Sequence, residues 1–254
     1  MIQTPFAGLI YFVACLLLFL LVQRWLHSEL QAILLLLTRK PQLTVGLFSL
    51  LFFPGVLLHE SSHFIAALIL RVPARRFSVI PRVLPGGKIR MGYVETAATD
   101  PLRDALIGVA PLVSGLAVTA ALGAWRLGLL PLAELAFQGQ GEAFLAGLRV
   151  IPQQRDFWLW FYLAFTVSST MLPSASDRRA WLPIILTIGG AALAAVMAGA
   201  GGWMLANIAP PVNQGLHMLA LIFAISLMIH LILVMPAWLL RLLISRITGL
   251  RVSC

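Results

Sequence analysis

Charge is what this sequence has least of. Only 11% of its 254 residues are charged and nine are acidic, whereas about a quarter are charged in a soluble domain. That shortage excludes both an ordinary soluble domain and a disordered, highly charged chain. Lysine is nearly absent, with Lys40 and Lys88 beside sixteen arginines. Cysteine is equally scarce. Cys15 lies inside an apolar run and Cys254 is the last residue, so neither a disulfide scaffold nor a cysteine-based metal site is expected. Internal repeats, low-complexity tracts and Ser/Gly linkers are missing too, which leaves residues 1–254 as a single membrane domain. Apolar residues are what the chain has in abundance: 60% are hydrophobic and the mean hydropathy is +0.95. A net charge of +9 would suggest nucleic acid as a partner of a soluble protein. Here the arginines separate long apolar runs, so the expected partner is the lipid bilayer and no nucleic acid.

A transmembrane helix needs about 20 mostly apolar residues. Six stretches qualify, at about 5–23, 43–70, 104–125, 157–173, 181–206 and 216–240. The expected fold is an all-α polytopic membrane protein of about six transmembrane helices. Leu30 to Leu37 is too short to span and reads as an interfacial segment, while Pro131 to Phe137 and Ala143 to Val150 read as helices lying on the membrane surface. Six alternating spans that start inside collect twelve of the eighteen cations on the cytoplasmic side. The positive-inside rule then predicts cytoplasmic N- and C-termini, in what is expected to be a bacterial cell membrane. Between the second and third spans, Arg76 to Thr96 offers two β-prone arms around Pro85-Gly86-Gly87, which predicts a cytoplasmic-side β-hairpin. The glycine clusters at Gly189-Gly190 and Gly199 to Gly202 read as sites of close helix packing, and Pro210-Pro211 as a turn between the last two spans.

Near the inner end of the second span the sequence runs LLHESSHFIAALIL. His59, Glu60 and His63 form H-E-x-x-H. On a helix, residues four apart share a face, so both imidazoles can hold one ion. Zn2+ suits two neutral imidazoles and a third protein ligand, with the fourth position left for water. Glu60, one residue after the first ligand, is placed to take that water's proton as general base. Ionisable residues inside a span are costly, and three within five residues mark a functional site. Asp177, after the fourth span, falls at the same predicted membrane face and is the expected third metal ligand. The two histidines lie some turns inside their helix. Asp177 must therefore sit deep as well, which predicts a fourth helix extended to Trp181 with a break at Pro173.

These residues resemble the site-2 proteases, intramembrane zinc metalloproteases. His59-Glu60-Ser61-Ser62-His63 matches the family's first motif, Arg76 to Thr96 is similar to its hairpin, and Gly108-Val109-Ala110-Pro111 is similar to the G-x-x-P element of its second core helix. Pro173 with Asp177 is similar to its third motif, N-x-x-P…(L)DG. The resemblance covers residues 43–182 as a three-helix core. An N-terminal helix and interfacial segment (1–42) precede it and two C-terminal helices (183–254) follow. Two departures stand out: Arg178 follows Asp177 where the family has Gly, and the Asn is absent. One spacing assigns its place to Ser169 and the other to Thr170, so either hydroxyl is a candidate donor to a developing oxyanion.

The resemblance implies zinc-dependent hydrolysis of a peptide bond in or near a transmembrane segment of a membrane-protein substrate, as in regulated intramembrane proteolysis. Such a substrate would unwind and pair with an edge of the hairpin. Two other classes remain: a metal-ion transporter, and a non-catalytic zinc-binding membrane scaffold. His230, in mid-helix, reads as an interhelical hydrogen-bond partner and His217 as an interfacial residue. Substrate identity and oligomeric state are left open.

Overall fold

The computed structural model describes residues 6–83 and 89–250. The Pro85-Gly86-Gly87 turn and Cys254 lie outside them. The chain is mostly helical. Its helices are α1 (Ala7–Thr38), α2 (Pro41–Leu51), α3 (Phe53–Ile69), α4 (Pro101–Ala121, continued by a π-helical turn Leu122–Arg126), α5 (Leu129–Phe137) and α6 (Gly141–Val150). After these come α7 (Phe157–Thr170), α8 (Trp181–Ala195), α9 (Gly201–Asn207) and α10 (Ala209–Thr248). Four helical stretches are long and apolar enough to cross a membrane, and α2–α3, bent by 71°, makes a fifth if counted as one span. Large apolar side chains such as Leu21, Ile69, Leu186 and Ile247 cover the outside, consistent with an integral membrane protein.

The expected hairpin is present. Strand β1 (Ala74–Ser78) pairs antiparallel with β4 (Tyr93–Thr96), Phe77 facing Val94 and Ser78 facing Tyr93, with a bulge between Ala74 and Arg76. Nearer the tip, β2 (Arg82–Val83) pairs antiparallel with β3 (Ile89–Arg90).

The first helix differs from expectation. Leu30 to Leu37 is not a separate interfacial piece but the last turns of a continuous α1. Gln23 and Glu29, at and beyond the expected end of the first span, are buried and partnered: Gln23 donates to the Ser169 carbonyl and Glu29 receives Arg241. Polar residues here face the protein, so they do not end the helix.

A larger correction concerns direction. Gly8 N–H donates to Asn213, Phe12 and Phe19 meet Phe223, Phe19 meets His230, and Glu29 pairs with Arg241. Numbers rise together along both helices, so α1 and α10 run parallel. Six alternating spans would make them antiparallel, with both termini on one side. Instead Ala7 and Thr248 lie at opposite ends of the bundle, an arrangement that six alternating passes would not give. Arg241 and Arg246, on the last turns of α10, lie at the end away from Ala7.

The other contacts set the remaining directions. α3 and α7 are parallel, since Tyr162 bonds to Leu51 and His59 to Thr170. α4 runs against both, as Ser62 meets Ser114, His63 meets Ile107 and Gly108 meets Asp177. The fifth expected span, 181–206, forms the stretch Trp181–Asn207, which starts beside the Asp104–Arg179 pair and ends where Leu205 shares a cavity wall with Ala7 and Gly8. Both places are toward the same end of the bundle. It is long and apolar, yet none of its most apolar window is buried. Its glycines are not packing sites: a Cβ added at Gly189, Gly190 or Gly202 would meet nothing within 4 Å, while Gly199 at φ 87° makes a kink. Pro210 and Pro211 sit in the first turn of α10, where the missing N–H costs nothing, rather than in a turn between helices.

The main core lies where α1, α3, α7 and α10 meet, around Leu26, Phe52, Phe165 and Ile229. Of the two expected surface helices, α5 packs into this core through Leu129 and Leu132, while α6 buries no residue.

Candidate metal centre

His59 and His63 stand one turn apart on α3, as their spacing predicted. Each ring is held by its outer nitrogen. His59 Nδ1 lies 2.7 Å from the Thr170 carbonyl and His63 Nδ1 lies 2.8 Å from the Ile107 carbonyl. A carbonyl only accepts, so both Nδ1 atoms carry the proton and both Nε2 atoms present lone pairs. Those lone pairs face Asp177: His63 Nε2 is 3.4 Å from Oδ1 and His59 Nε2 is 3.8 Å from Oδ2.

Asp177 reaches them from a non-helical segment. α7 ends at Thr170, three residues before Pro173, and the helix does not resume until Trp181. The expected helix extended through Asp177 is therefore absent, because proline disfavours a helical residue before it and Ser174 offers a turn instead. The Ser174 N–H donates to Asp177 Oδ2 at 2.7 Å and so orients the carboxylate. Arg179 forks onto Asp104 of α4 through two bonds of 2.7 Å, tying this turn to the neighbouring helix. Gly108 permits the same approach from α4, since a Cβ there would overlap the Asp177 carbonyl oxygen. Burial works against the charged carboxylate, but His59 and His63, which donate from Nε2 whenever a ring is protonated, and the Ser174 N–H outweigh it and hold Asp177 well below the usual carboxylate range. It is ionised at neutral pH.

The donor set fits a zinc ion. Four tetrahedral bonds of 2.0–2.1 Å place donor atoms about 3.3 Å apart, close to the observed Nε2–Oδ gaps, and the three ligand atoms lie within 4.8 Å of one another.

A cavity of about 960 Å³ opens onto this group and is also lined by Glu60 and by Tyr93 to Thr96 of β4. Glu60 is 7% exposed, and Gly92 packs against it, where a Cβ would come within 2.7 Å of Glu60 Cγ. The four residues expected to carry the chemistry, His59, Glu60, His63 and Asp177, are thus brought to one cavity.

Ser169 and Thr170 line the same cavity, but their hydroxyls are committed. His230 Nδ1 lies 2.7 Å from the Ser226 carbonyl and so carries the proton, which leaves its Nε2 to accept from Ser169 Oγ at 2.9 Å. Thr170 Oγ1 donates to the Thr166 carbonyl at 3.0 Å. Both protons are engaged in this arrangement, so either hydroxyl would have to give up its bond to donate to a substrate oxygen. His230 is an interhelical partner as expected, and His217 packs edge-on against Tyr11.

Sequence reasoning missed the wall contributed by α1. Gln23, Arg24 and His27 line the cavity, and His27 Nε2 is buried without a hydrogen-bond partner among the described residues. The signal was in the sequence: three polar residues within five, following a long apolar run. A scan against protein-family models, a search of curated proteins and a search of solved structures found no match to this chain.

Proposed function

We propose that this chain is an intramembrane zinc metallopeptidase of the site-2 protease kind, acting on a peptide bond in or near a transmembrane segment. The observation that carries the reading is the convergence of two Nε2 lone pairs and an ionised carboxylate beside a buried glutamate. His59, His63 and Asp177 would hold the ion. The chemistry zinc supplies when bound there is Lewis acidity toward a carbonyl and a water.

Glu60 takes a proton from the attacking water at its carboxylate as the water oxygen adds to the peptide carbon. It returns that proton to the departing nitrogen as the C–N bond breaks. The carbonyls of Thr170 and Ile107 keep both imidazoles in the tautomer that leaves Nε2 free. The β4 strand borders the cavity and offers backbone groups to an unwound substrate segment, which needs such partners once its own helical bonds are broken.

Metal analysis of detergent-purified protein tests the reading. About one zinc per chain is expected in the wild type and none in His63→Ala, whose remaining ligands cannot close the site. A metal-free wild type after purification in zinc-containing buffer overturns the assignment. A second expectation concerns the packing around Glu60. Gly92→Val would push the carboxylate aside, so cleavage is expected to fall at least tenfold while the zinc content stays unchanged. Unaltered cleavage would show that this contact does not position the base.

A further inference from the structure

The C-terminal end of a helix leaves carbonyls that no helical N–H can reach. At the end of α7, two side chains from other helices take consecutive ones. Gln23 Nε2 donates to the Ser169 carbonyl at 2.6 Å, and His59 Nδ1 donates to the Thr170 carbonyl at 2.7 Å. The Gln23 amide and a ring of the metal-type cluster therefore stand on adjacent peptide units. Gln23 is 7% exposed and faces the same cavity as Glu60.

The orientation of this amide is fixed. Only its NH₂ group can face a carbonyl, so the nitrogen points at Ser169. An NH₂ has two protons, and the bond to Ser169 uses one; among the described residues the other has no acceptor. A buried donor without an acceptor is costly, and it repays that cost when a ligand supplies the acceptor. The neighbouring hydroxyls are already engaged, Ser169 donating to His230 and Thr170 to Thr166.

We propose that Gln23 is a further catalytic residue, whose second amide N–H donates to the oxygen of the scissile carbonyl as negative charge develops on it. The proposal rests on the peptidase reading and gives α1 a part in the chemistry. The amide supplies no proton and makes no covalent bond. It stabilises an oxygen whose charge grows as the water adds, which is where a fixed donor in a dry site has most effect.

The test uses Gln23→Met, close in shape but without the amide, in the full-length protein. Three quantities are read: zinc content, cleavage kinetics, and affinity for a phosphonate analogue of a leucine-rich peptide, a tetrahedral anion. The expected result is unchanged zinc, kcat lower by about 10²–10³-fold with little change in KM, and phosphonate affinity reduced while that for the parent peptide is kept. Adding Ser169→Asn, which returns an amide to the same end of α7, is expected to restore part of the loss. A purely structural cap predicts a different pattern, in which zinc and thermal stability fall together and Ser169→Asn gives no recovery. That pattern overturns the proposal, and so does a phosphonate affinity within about twofold of wild type. If wild type and Glu60→Gln handle the substrate alike, the peptidase reading fails instead. Phosphonate binding still decides whether Gln23 contacts an anion.

Discussion

Glu60→Gln is expected to keep its zinc and lose cleavage of a transmembrane substrate, with kcat down by about 10²–10⁴-fold, the usual contribution of a positioned general base. Glutamine has the shape of glutamate, so the packing against Gly92 survives. The ligand rings survive as well, because His59 and His63 are held by the carbonyls of Thr170 and Ile107 and not by Glu60. The substitution removes only the ability to take up a proton. Equal cleavage by the variant and the wild type would sink the mechanism even with zinc bound. Metal analysis alongside the cleavage assay separates a lost base from a lost site.

The second large effect is expected away from the His59-His63-Asp177 group. Arg241 and Glu29 pair between α10 and α1, with Glu29 5% and Arg241 21% exposed, and Glu29 also accepts from Trp25 Nε1 at 3.0 Å. Glu29→Ala leaves a guanidinium facing an apolar helix. Breaking one side of such a pair costs about 3–5 kcal/mol, whereas replacing both partners by apolar residues is often neutral. Thermal unfolding in detergent should therefore show a clear loss for Glu29→Ala and recovery of most of it for Glu29→Leu with Arg241→Leu. If the single variant melts with the wild type, the pair does not fasten the two helices. Cleavage is expected to follow stability here, since a loosened α1 carries Gln23 away from Ser169.

The readable part of the site lay on one helix. His59, Glu60 and His63 declare themselves because four residues are about one helical turn, and Asp177 because an acid is rare beside an apolar run. The hairpin was legible from its β-prone arms. What stayed hidden depended on partners distant in sequence. Gln23 and Glu29 look like the end of a span until Ser169 and Arg241 are seen against them, 146 and 212 residues away. The hydroxyl of Ser169 looks free until His230, 61 residues later, accepts from it. The direction of α10 was lost for a related reason. Counting arginines presumes that successive apolar stretches alternate in direction, and Trp181–Asn207 has the length and hydropathy of a span but starts and ends toward one end of the bundle.

The parallel pairing of α1 with α10 also orders events during synthesis. His59, His63 and Asp177 all emerge from the ribosome before α10, so the metal ligands can gather while the chain is still growing. The buried face of α1 is covered in part by earlier elements, with Leu26 beside Phe52 and Phe19 beside Met171, but Glu29 has no Arg241 until the last long helix arrives. His230 reaches Ser169 only then, whereas the Ser169 carbonyl that receives Gln23 is already present. A growing chain would thus carry His59, His63 and Asp177 before α10 closes the remaining face of α1.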